Sequence, residues 1–184
     1  MSSRATLGVV IPSYRSTYLG RVLSALQGLP TDEVVVVDSS PEEPEVGDFP
    51  VRLKHLEERV SASVARNIGA KSITSDYILF LDSDVLLPPQ ASEVIHNILE
   101  SASADIVCGL YQANRHENNV VAQLQNVILR HRLSGTQKPS TALGSSSHMI
   151  VRREVFEQVG GFNAEIDSYE DFEFSARSIR SGFE

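Results

Sequence analysis

Two aspartates, Asp82 and Asp84, stand one residue apart directly after the apolar stretch "DYILFL". A short continuous apolar run is typical of a strand covered on both faces, so both aspartates fall where that strand ends. Two carboxylates this close repel each other unless a positive charge lies between them. Mg²⁺ or Mn²⁺ would offset the repulsion, hold a diphosphate and stabilise the charge that grows on it as a leaving group. The pair therefore predicts a divalent metal site.

Polar residues also follow the first two predicted strands. The segment from Pro12 to Arg15 comes after "LGVVI", and the segment from Asp38 to Ser40 comes after "EVVVV". Asp and Ser are common in turns and caps, which is the alternative explanation for each segment alone. In an open α/β sheet, however, ligands bind at the carboxyl ends of the strands. Three polar strand ends on one rim therefore favour a binding site, and no Gly-x-x-x-x-Gly-Lys-Ser/Thr loop is present to indicate a P-loop.

Strand and helix patterns alternate along the chain. Strands are predicted at 7–12, 33–38, 51–57, 76–82 and 105–113, and one more begins at His148. Helices are predicted at 16–29, 61–74, 88–102 and 169–182, with a short one ending before Gly160 and a less clear one within 118–141. Ser16 or Thr17 is predicted to cap the first helix. Ser61 or Ser63 should cap the second helix, whose inner face we expect to carry Val64, Ala65 and Ile68. This alternation predicts an α/β sandwich with a mostly parallel central sheet.

Composition limits the classes of protein. The 184 residues, 41% of them hydrophobic, are enough for one globular domain with a real core. Acidic residues outnumber basic ones, 24 to 16, and the net charge is −8. Nucleic-acid binding needs clustered Lys and Arg, so we expect no nucleic-acid partner.

Several features bear on the compartment. The N-terminal apolar stretch is too short for a signal peptide, and no run approaches the ~18 apolar residues that span a bilayer. Cys108 is the one cysteine, and its surroundings "ADIVCGLY" predict a core residue in a reducing environment and not a reactive thiol. These features predict a cytoplasmic protein, and they leave open a peripheral contact with a membrane and assembly into a homo-oligomer.

Six segments in this order and spacing carry a resemblance: "VVIPSYR", "EVVVVDSS", "ARNIGAK", "DYILFLDSDV", "VRREVFEQVGGF" and "YEDFEFSARSIRSG". Together they resemble the nucleotide-sugar-dependent glycosyltransferases of family 2, which have a GT-A fold with a three-layer α/β/α arrangement. The resemblance implies that Asp84 coordinates the metal and that Asp82 lies on the ribose and diphosphate side. It also implies a wider set of nucleotide-sugar-binding residues: Pro12, Ser13, Tyr14, Arg15, Asp38, Arg66, Asn67, Asp82 and Ser83.

The resemblance also points to a catalytic pair, Glu170 and Asp171, with Asp171 as the base. An inverting transfer needs a carboxylate that takes the proton of the acceptor hydroxyl as this attacks the anomeric carbon. The alternative is that the two acids only complement the dipole of the helix they begin. Four further residues are candidates for donor-sugar contacts, although such side chains are more often solvated or structural: His116, Arg130, His131 and His148.

Three departures from the family pattern stand out. The chain reads Asp38-Ser39-Ser40 where members often have Asp-Asp-Gly-Ser, and Val85 takes the place of a frequent third acid. A single domain over 1–184 is expected to lack the later Gln/Arg-x-x-Arg-Trp element, because the sequence contains no Trp. That absence bears on acceptor binding and on catalytic competence.

The expected function is therefore an inverting transfer of a sugar from a nucleoside diphosphate donor to a carbohydrate, lipid-linked or other hydroxyl acceptor, with a divalent metal. One alternative is a catalytically incomplete nucleotide-sugar-binding module that needs a partner chain or a further segment. A second is a sugar-phosphate nucleotidyltransferase. Such an enzyme should carry a glycine-rich loop with Arg and Lys after the first strand, and "IPSYRSTYLG" lacks it.

Overall fold

A computed structural model describes residues 4–102, 105–109 and 144–183. The strands are β1 Leu7–Ser13, β2 Glu33–Asp38, β3 Arg52–His55, β4 Tyr77–Leu81, β5 Ile106–Cys108 and β6 His148–Arg152. The helices are α1 Leu19–Leu26, α2 Ala62–Ala70, α3 Ala91–Ser101, α4 Arg153–Val159 and α5 Glu170–Arg180. The helix predicted within 118–141 and the end of the fifth predicted strand lie outside the described residues.

The six strands form one sheet in the order β3-β2-β1-β4-β6-β5. The strand pairs β1–β2, β1–β4 and β2–β3 are parallel, whereas β6 runs antiparallel to both β4 and β5. The direction of β6 has a consequence for the site. Because β6 is antiparallel, its first residue His148 pairs with Leu81, the last residue of β4, so the segment before β6 lies at the carboxyl edge of the parallel strands.

Helices cover both faces of the sheet. Side chains of β1 alternate, so that Leu7, Val9 and Ile11 pack under α1 and α3, while Val10 points to the opposite face with α2, α4 and α5. Four aromatic rings join α4 and α5 to β4 on that face, with ring centroids 4.9–5.6 Å apart in contacting pairs: Phe80, Phe156, Phe162 and Phe174. The predicted three-layer sandwich with a mostly parallel central sheet is confirmed. No helix in the described ranges has the length and apolar character that crossing a membrane requires.

The predicted caps were right for one helix and wrong for another. Ser61 caps α2, because its Oγ accepts a hydrogen bond from Val64 N at 3.3 Å. Helix α1 begins only after Tyr18, without a side-chain cap. Ser16, one of its predicted caps, instead donates from Oγ to Ser83 O at 2.9 Å, which ties the loop after β1 to the end of β4.

The buried face of α2 also differs from the predicted one. It is formed by Ser63, Ala65, Arg66, Gly69 and Ala70, whereas Val64 and Ile68 are only partly buried. Small residues at these positions let the helix lie close to β1. A Cβ atom added at Gly69 would overlap Cγ1 of Val10, so this approach depends on a glycine.

We predict that Gly69→Ala lowers the free energy of unfolding by about 1 to 3 kcal/mol, because the added methyl group must displace Val10 in a packed core. Gly20→Ala in α1 is the matched control, since a Cβ there meets nothing within 4 Å. Alanine has the better helix propensity, so the control should be neutral or stabilising by up to about 1 kcal/mol. Urea denaturation of both variants measures the difference, and equal stabilities would contradict the close contact.

Candidate functional site

A cleft of about 880 Å³ lies at the carboxyl edge of β1, β2 and β4. Most of the predicted nucleotide-sugar-binding residues line it. Its walls come from the loop after β1, the end of β2, the start of α2 and the end of β4: residues 12–18, Ser39, residues 59–62, Ala65, Arg66, residues 82–84 and Asp167. The structure thus brings the three polar strand ends together around one opening. Four predicted site residues are not among the lining residues: Asp38, Asn67, Glu170 and Asp171.

The loop after β1 is held in an unusual backbone conformation. Arg15 has a positive φ of 49°, which a non-glycine residue adopts only when its surroundings enforce it. Its N–H donates to Ser40 Oγ at 2.6 Å, so the end of β2 fixes the loop. The ring of Tyr14 has the Arg59 guanidinium 4.5 Å and the Arg15 guanidinium 5.4 Å from its centroid. Sequence reasoning missed Arg59, which stands in a polar loop and carries no motif.

Asp38 is fully buried and its carboxylate is hydrogen-bonded within the protein, although it was predicted to bind the nucleotide sugar. Its Oδ1 accepts from Ser40 N at 2.9 Å and lies 3.1 Å from His55 Nδ1, while its Oδ2 accepts from Ser40 Oγ at 2.9 Å. Ser40 then accepts from Arg15 N, so Asp38 acts on the cleft wall through Ser40. Its neighbour Ser39 is the residue of this segment that lines the cleft. The nucleotide contact of Asp38 stays a prediction, and this burial weighs against it.

The side chain of Asn67 also forms its hydrogen bonds away from the cleft. Its Nδ2 donates to Phe162 O at 2.7 Å and its Oδ1 accepts from Phe162 N at 3.0 Å. Both ends of the amide therefore fix the backbone at Phe162, which belongs to the aromatic cluster under α5. The geometry weighs against its predicted contact with the nucleotide.

Arg66 supplies a positive charge next to the closely spaced aspartates. Its Nη2 donates to Asp82 Oδ1 at 2.6 Å, and its Nη1 donates to Glu170 Oε1 at 2.8 Å. The Arg66 side chain is 3% exposed, and it lies 5.5 Å from the ring centroid of Phe162. The protein itself therefore supplies positive charge at the end of β4, since Arg66 pairs with Asp82, whereas Asp84 has no ion-pair partner among the described residues.

The acids at the end of β4 fit a hard divalent cation. Asp84 is exposed, and neither Asp84 nor Oδ2 of Asp82 forms a hydrogen bond or ion pair with the parts of the chain that the structure describes. Within those same parts, no group of three or more His, Cys, Asp or Glu side chains could hold a metal. Carboxylate ligands from Asp84 and Asp82 would therefore leave several coordination positions for phosphate oxygens and water, an arrangement common for Mg²⁺ with substrate phosphates.

Asp171 lies at the start of α5 in surroundings that strengthen it as a base. Its Oδ2 accepts from Ser146 N at 3.3 Å, and its Oδ1 accepts from Phe172 N at 2.8 Å. Burial raises the pKa of the Asp171 carboxyl above its usual range, and Glu170 adds to the rise, while the two N–H donors and Arg66 oppose it. A carboxylate with a raised pKa accepts a proton more readily, which suits a general base.

The residues before β6 complete this side of the site and were missed from the sequence. Ser147 O accepts from Asp82 N at 3.0 Å, while Ser146 N reaches Asp171. In the sequence, the run "GSSSH" cannot be told from an ordinary polar turn. The antiparallel direction of β6 explains why this run lies between Asp82 and Asp171. Burial lowers the pKa of the His148 imidazole, whose Nδ1 lies 2.8 Å from Ser147 Oγ, and its candidate contact with the donor sugar stays a prediction. His116, Arg130 and His131 lie outside the described residues.

Cys108 is close to this region but shows no sign of reactivity. Burial, with a further contribution from Asp171, raises the pKa of its thiol to about 12. A thiol is reactive as the thiolate, so this environment supports the interpretation of Cys108 as a core residue.

The chain belongs to glycosyl transferase family 2, whose family model matches residues 8–160. The resemblance seen in the six sequence segments is thereby confirmed. An uncharacterized glycosyltransferase of Haemophilus influenzae is 27% identical over an alignment of 185 positions that covers 95% of this chain and 62% of that protein. A pre-mycofactocin glycosyltransferase of Mycobacterium tuberculosis is 27% identical over 200 residues, covering 98% of this chain and 40% of the relative. The chain therefore spans less than two thirds of the length of either relative.

Solved structures share the GT-A fold. A mannosyltransferase from Pyrobaculum calidifontis, PcManGT, in complex with GDP-Man and Mn²⁺, superposes with a TM-score of 0.71 at 18% identity over 99% of this chain and 54% of its own. S. aureus TarS in complex with UDP gives a TM-score of 0.73 at 18% identity over 95% of this chain and 55% of its own. At these identities the likeness establishes the fold.

We predict that Ser40→Ala lowers the free energy of unfolding by about 1 to 3 kcal/mol, because it leaves the Arg15 N–H and an oxygen of buried Asp38 without their shared partner. Ser24→Ala is the control, since the Ser24 hydroxyl bonds to Gly20 O on an exposed helix face and should matter by less than about 0.5 kcal/mol. Chemical denaturation compares the two variants. If Ser40→Ala lost no more stability than Ser24→Ala, the hydrogen bonds from Asp38 through Ser40 to Arg15 would not be what holds the loop after β1.

Proposed function

We propose that this chain is the donor-binding and catalytic part of an inverting, metal-dependent glycosyltransferase that moves a sugar from a nucleoside diphosphate to a hydroxyl acceptor. One observation carries the proposal: Arg66 contacts both Asp82 at the end of β4 and Glu170 at the start of α5, beside Asp171. Arg66 itself lines the cleft, so its two contacts support a link between the predicted diphosphate site and the helix start that carries the predicted base. Membership of glycosyl transferase family 2 supports the same activity.

The cleft suits a nucleoside diphosphate sugar. Its volume of about 880 Å³ lies within the range of small-molecule sites. The nucleoside would lie near residues 12–15 and Ser39, and the diphosphate near residues 82–84. The similarly folded proteins were solved with GDP-Man and Mn²⁺ or with UDP, which supports a donor of this class. Mn²⁺ or Mg²⁺ held by Asp84 and Asp82 would neutralise the charge of the leaving diphosphate.

Asp171 is assigned the role of general base. The acceptor hydroxyl oxygen forms a bond to the anomeric carbon as the bond from that carbon to the diphosphate oxygen breaks. The hydroxyl proton passes to the Asp171 carboxylate, and the nucleoside diphosphate leaves with the bonding electron pair. A single displacement of this kind inverts the anomeric configuration and needs no covalent sugar intermediate. A carbohydrate or a lipid-linked hydroxyl would satisfy the chemistry as acceptor.

We predict that Asp84→Ala removes the metal-dependent part of nucleotide binding without unfolding the protein. Titration calorimetry with UDP and GDP, with and without Mn²⁺, measures this part directly. Loss of a ligand should weaken Mn²⁺-dependent affinity by at least about 10-fold, since even indirect support of a metal is worth that much. Asp48→Ala, which removes an exposed aspartate of the loop before β3, should behave as the unmodified chain. Unchanged Mn²⁺-dependent affinity in Asp84→Ala would refute the metal site.

We predict that Asp171→Asn lowers turnover by ~10²- to 10⁴-fold, the usual loss for a general base, because the amide keeps the shape but has no basic lone pair. Donor affinity should stay within about threefold, since the base does not hold the nucleotide. Release of nucleoside diphosphate from UDP-GlcNAc and from GDP-mannose, with Mn²⁺, follows turnover, while calorimetry follows affinity. Near-normal turnover in the variant would reject Asp171 as base. Donor binding without turnover in the unmodified chain would favour the incomplete donor-binding module.

A further inference from the structure

The start of α5 lacks the usual means of fixing a helix end. Its N-cap residue Tyr169 has a positive φ of 64° and makes no side-chain cap hydrogen bond. A non-glycine residue in this conformation is strained and persists only where neighbouring contacts impose it. The position of the first turn, which carries Glu170 and Asp171, must therefore be set by contacts from outside the helix.

Two contacts meet that need. On one side, Ser146 N donates to Asp171 at 3.3 Å, a long hydrogen bond. On the other side, Arg66 Nη1 donates to Glu170 Oε1 at 2.8 Å, a short charge-assisted bond between residues 104 positions apart. The second contact is the stronger one, and its donor belongs to α2 and also pairs with Asp82, directly after β4.

The burial of Arg66 makes the link specific. Its side chain is 3% exposed, against 32% for Asp82 and 15% for Glu170, so the cation is the most enclosed member of the cluster. A planar guanidinium with two nitrogens on two different carboxylates fixes their separation in a way that a lysine ammonium cannot. Nε of Arg66 is buried and has no partner among the described residues, so the two carboxylates account for the hydrogen bonds that the structure gives this group.

We propose that Arg66 and Glu170 are positioning residues that work as one unit: the pair holds the first turn of α5, and with it Asp171, at a fixed place relative to Asp82 and the donor. This inference rests on the proposed function. It assigns Glu170 the task of holding Arg66 and leaves proton transfer to Asp171 alone. It also gives Arg66 a task other than direct contact with the nucleotide.

A double-mutant cycle on turnover tests the unit. Arg66→Lys, Glu170→Gln and the double variant are compared in release of nucleoside diphosphate from UDP-GlcNAc and GDP-mannose with Mn²⁺. Misplacement of the base should lower kcat by about 10- to 100-fold in Glu170→Gln, with the KM for donor unchanged. Arg66→Lys should lower kcat and also raise the KM, since Arg66 holds Asp82 as well. The double variant should be no slower than the slower single variant, because both changes break the same link.

A second ion pair of α5 provides the matched control. Glu173 accepts from Arg177 Nη2 at 2.7 Å, one turn further along the same helix, and Arg177 also donates to Gly161 O at 2.7 Å, so this pair fixes α5 away from the cleft. Glu173→Gln removes the same kind of charge from a similar setting. Its kcat should stay normal even if its stability falls. If it lost as much turnover as Glu170→Gln, general loosening of α5 would explain both, and the proposal would fail.

Other outcomes overturn the proposal as clearly. If the fold-losses of kcat in the two single variants multiplied in the double variant, Glu170 would act independently of Arg66, as a sugar contact or as a second base. A raised KM with normal kcat in Arg66→Lys would mean that Arg66 serves the nucleotide alone.

A structural measurement separates failure of this inference from failure of the proposed function. Hydrogen exchange of the ligand-free protein, read in a peptide that covers the first two turns of α5, needs no activity. Both Arg66→Lys and Glu170→Gln should exchange faster there than the unmodified chain while α1 stays unchanged. Should the unmodified chain show no turnover, the proposed function fails and this readout alone decides: faster exchange supports the link, and unchanged exchange overturns it.

Discussion

A buried guanidinium shared by two carboxylates is the interaction on which this site depends. The free energy lost when a cation is removed from water offsets much of the free energy gained from its ion pairs. Arg66, at 3% exposure, is therefore stabilised by two carboxylates, Asp82 and Glu170. The three groups come from α2, from the residue directly after β4 and from α5, and Glu170 lies 104 positions after Arg66 in the chain. These ion pairs therefore add a polar link between α2, the end of β4 and α5 to the aromatic packing that already joins α5 to the sheet.

The packing of α2 makes that pairing geometrically available. Gly69 lets the helix lie against Val10 of β1, and Ser61 begins it at the rim of the cleft. Arg66 lies between them in sequence, and its buried side chain forms part of the cleft wall. Two residues with positive φ adjoin the site: the N–H of Arg15 donates to Ser40 Oγ, and Tyr169 directly precedes Glu170, which pairs with Arg66. This fits the general tendency of backbone strain to collect at functional sites.

Much of the fold could be predicted from sequence, because apolar runs and helical spacing report burial directly. The described strands, the ends of β1, β2 and β4 to within one residue, and the acidic start of α5 were predicted in place. The antiparallel direction of β6 could not be, since "HMIV" is equally apolar in either direction. The burial of Asp38 was hidden for a similar reason: a polar residue at the end of a strand can face a ligand or a neighbour such as His55, and only tertiary contacts decide. The same holds for Asn67, whose contacts with the backbone of Phe162 carry no signal in the sequence.

The charges around the cleft bear on the need for a metal. The single positive charge of Arg66 is shared between Asp82 and Glu170, and Asp84 adds a further negative charge. The cluster of these four side chains therefore has a net negative charge before any ligand binds. A nucleoside diphosphate is itself an anion, and the protein as a whole carries −8. The guanidinium groups of Arg15 and Arg59 lie at Tyr14, on the side assigned to the nucleoside. Among the described residues, the cation at the predicted diphosphate site, Arg66, is already shared by two carboxylates, and this is the physical reason for proposing that binding of the donor depends on Mn²⁺ or Mg²⁺.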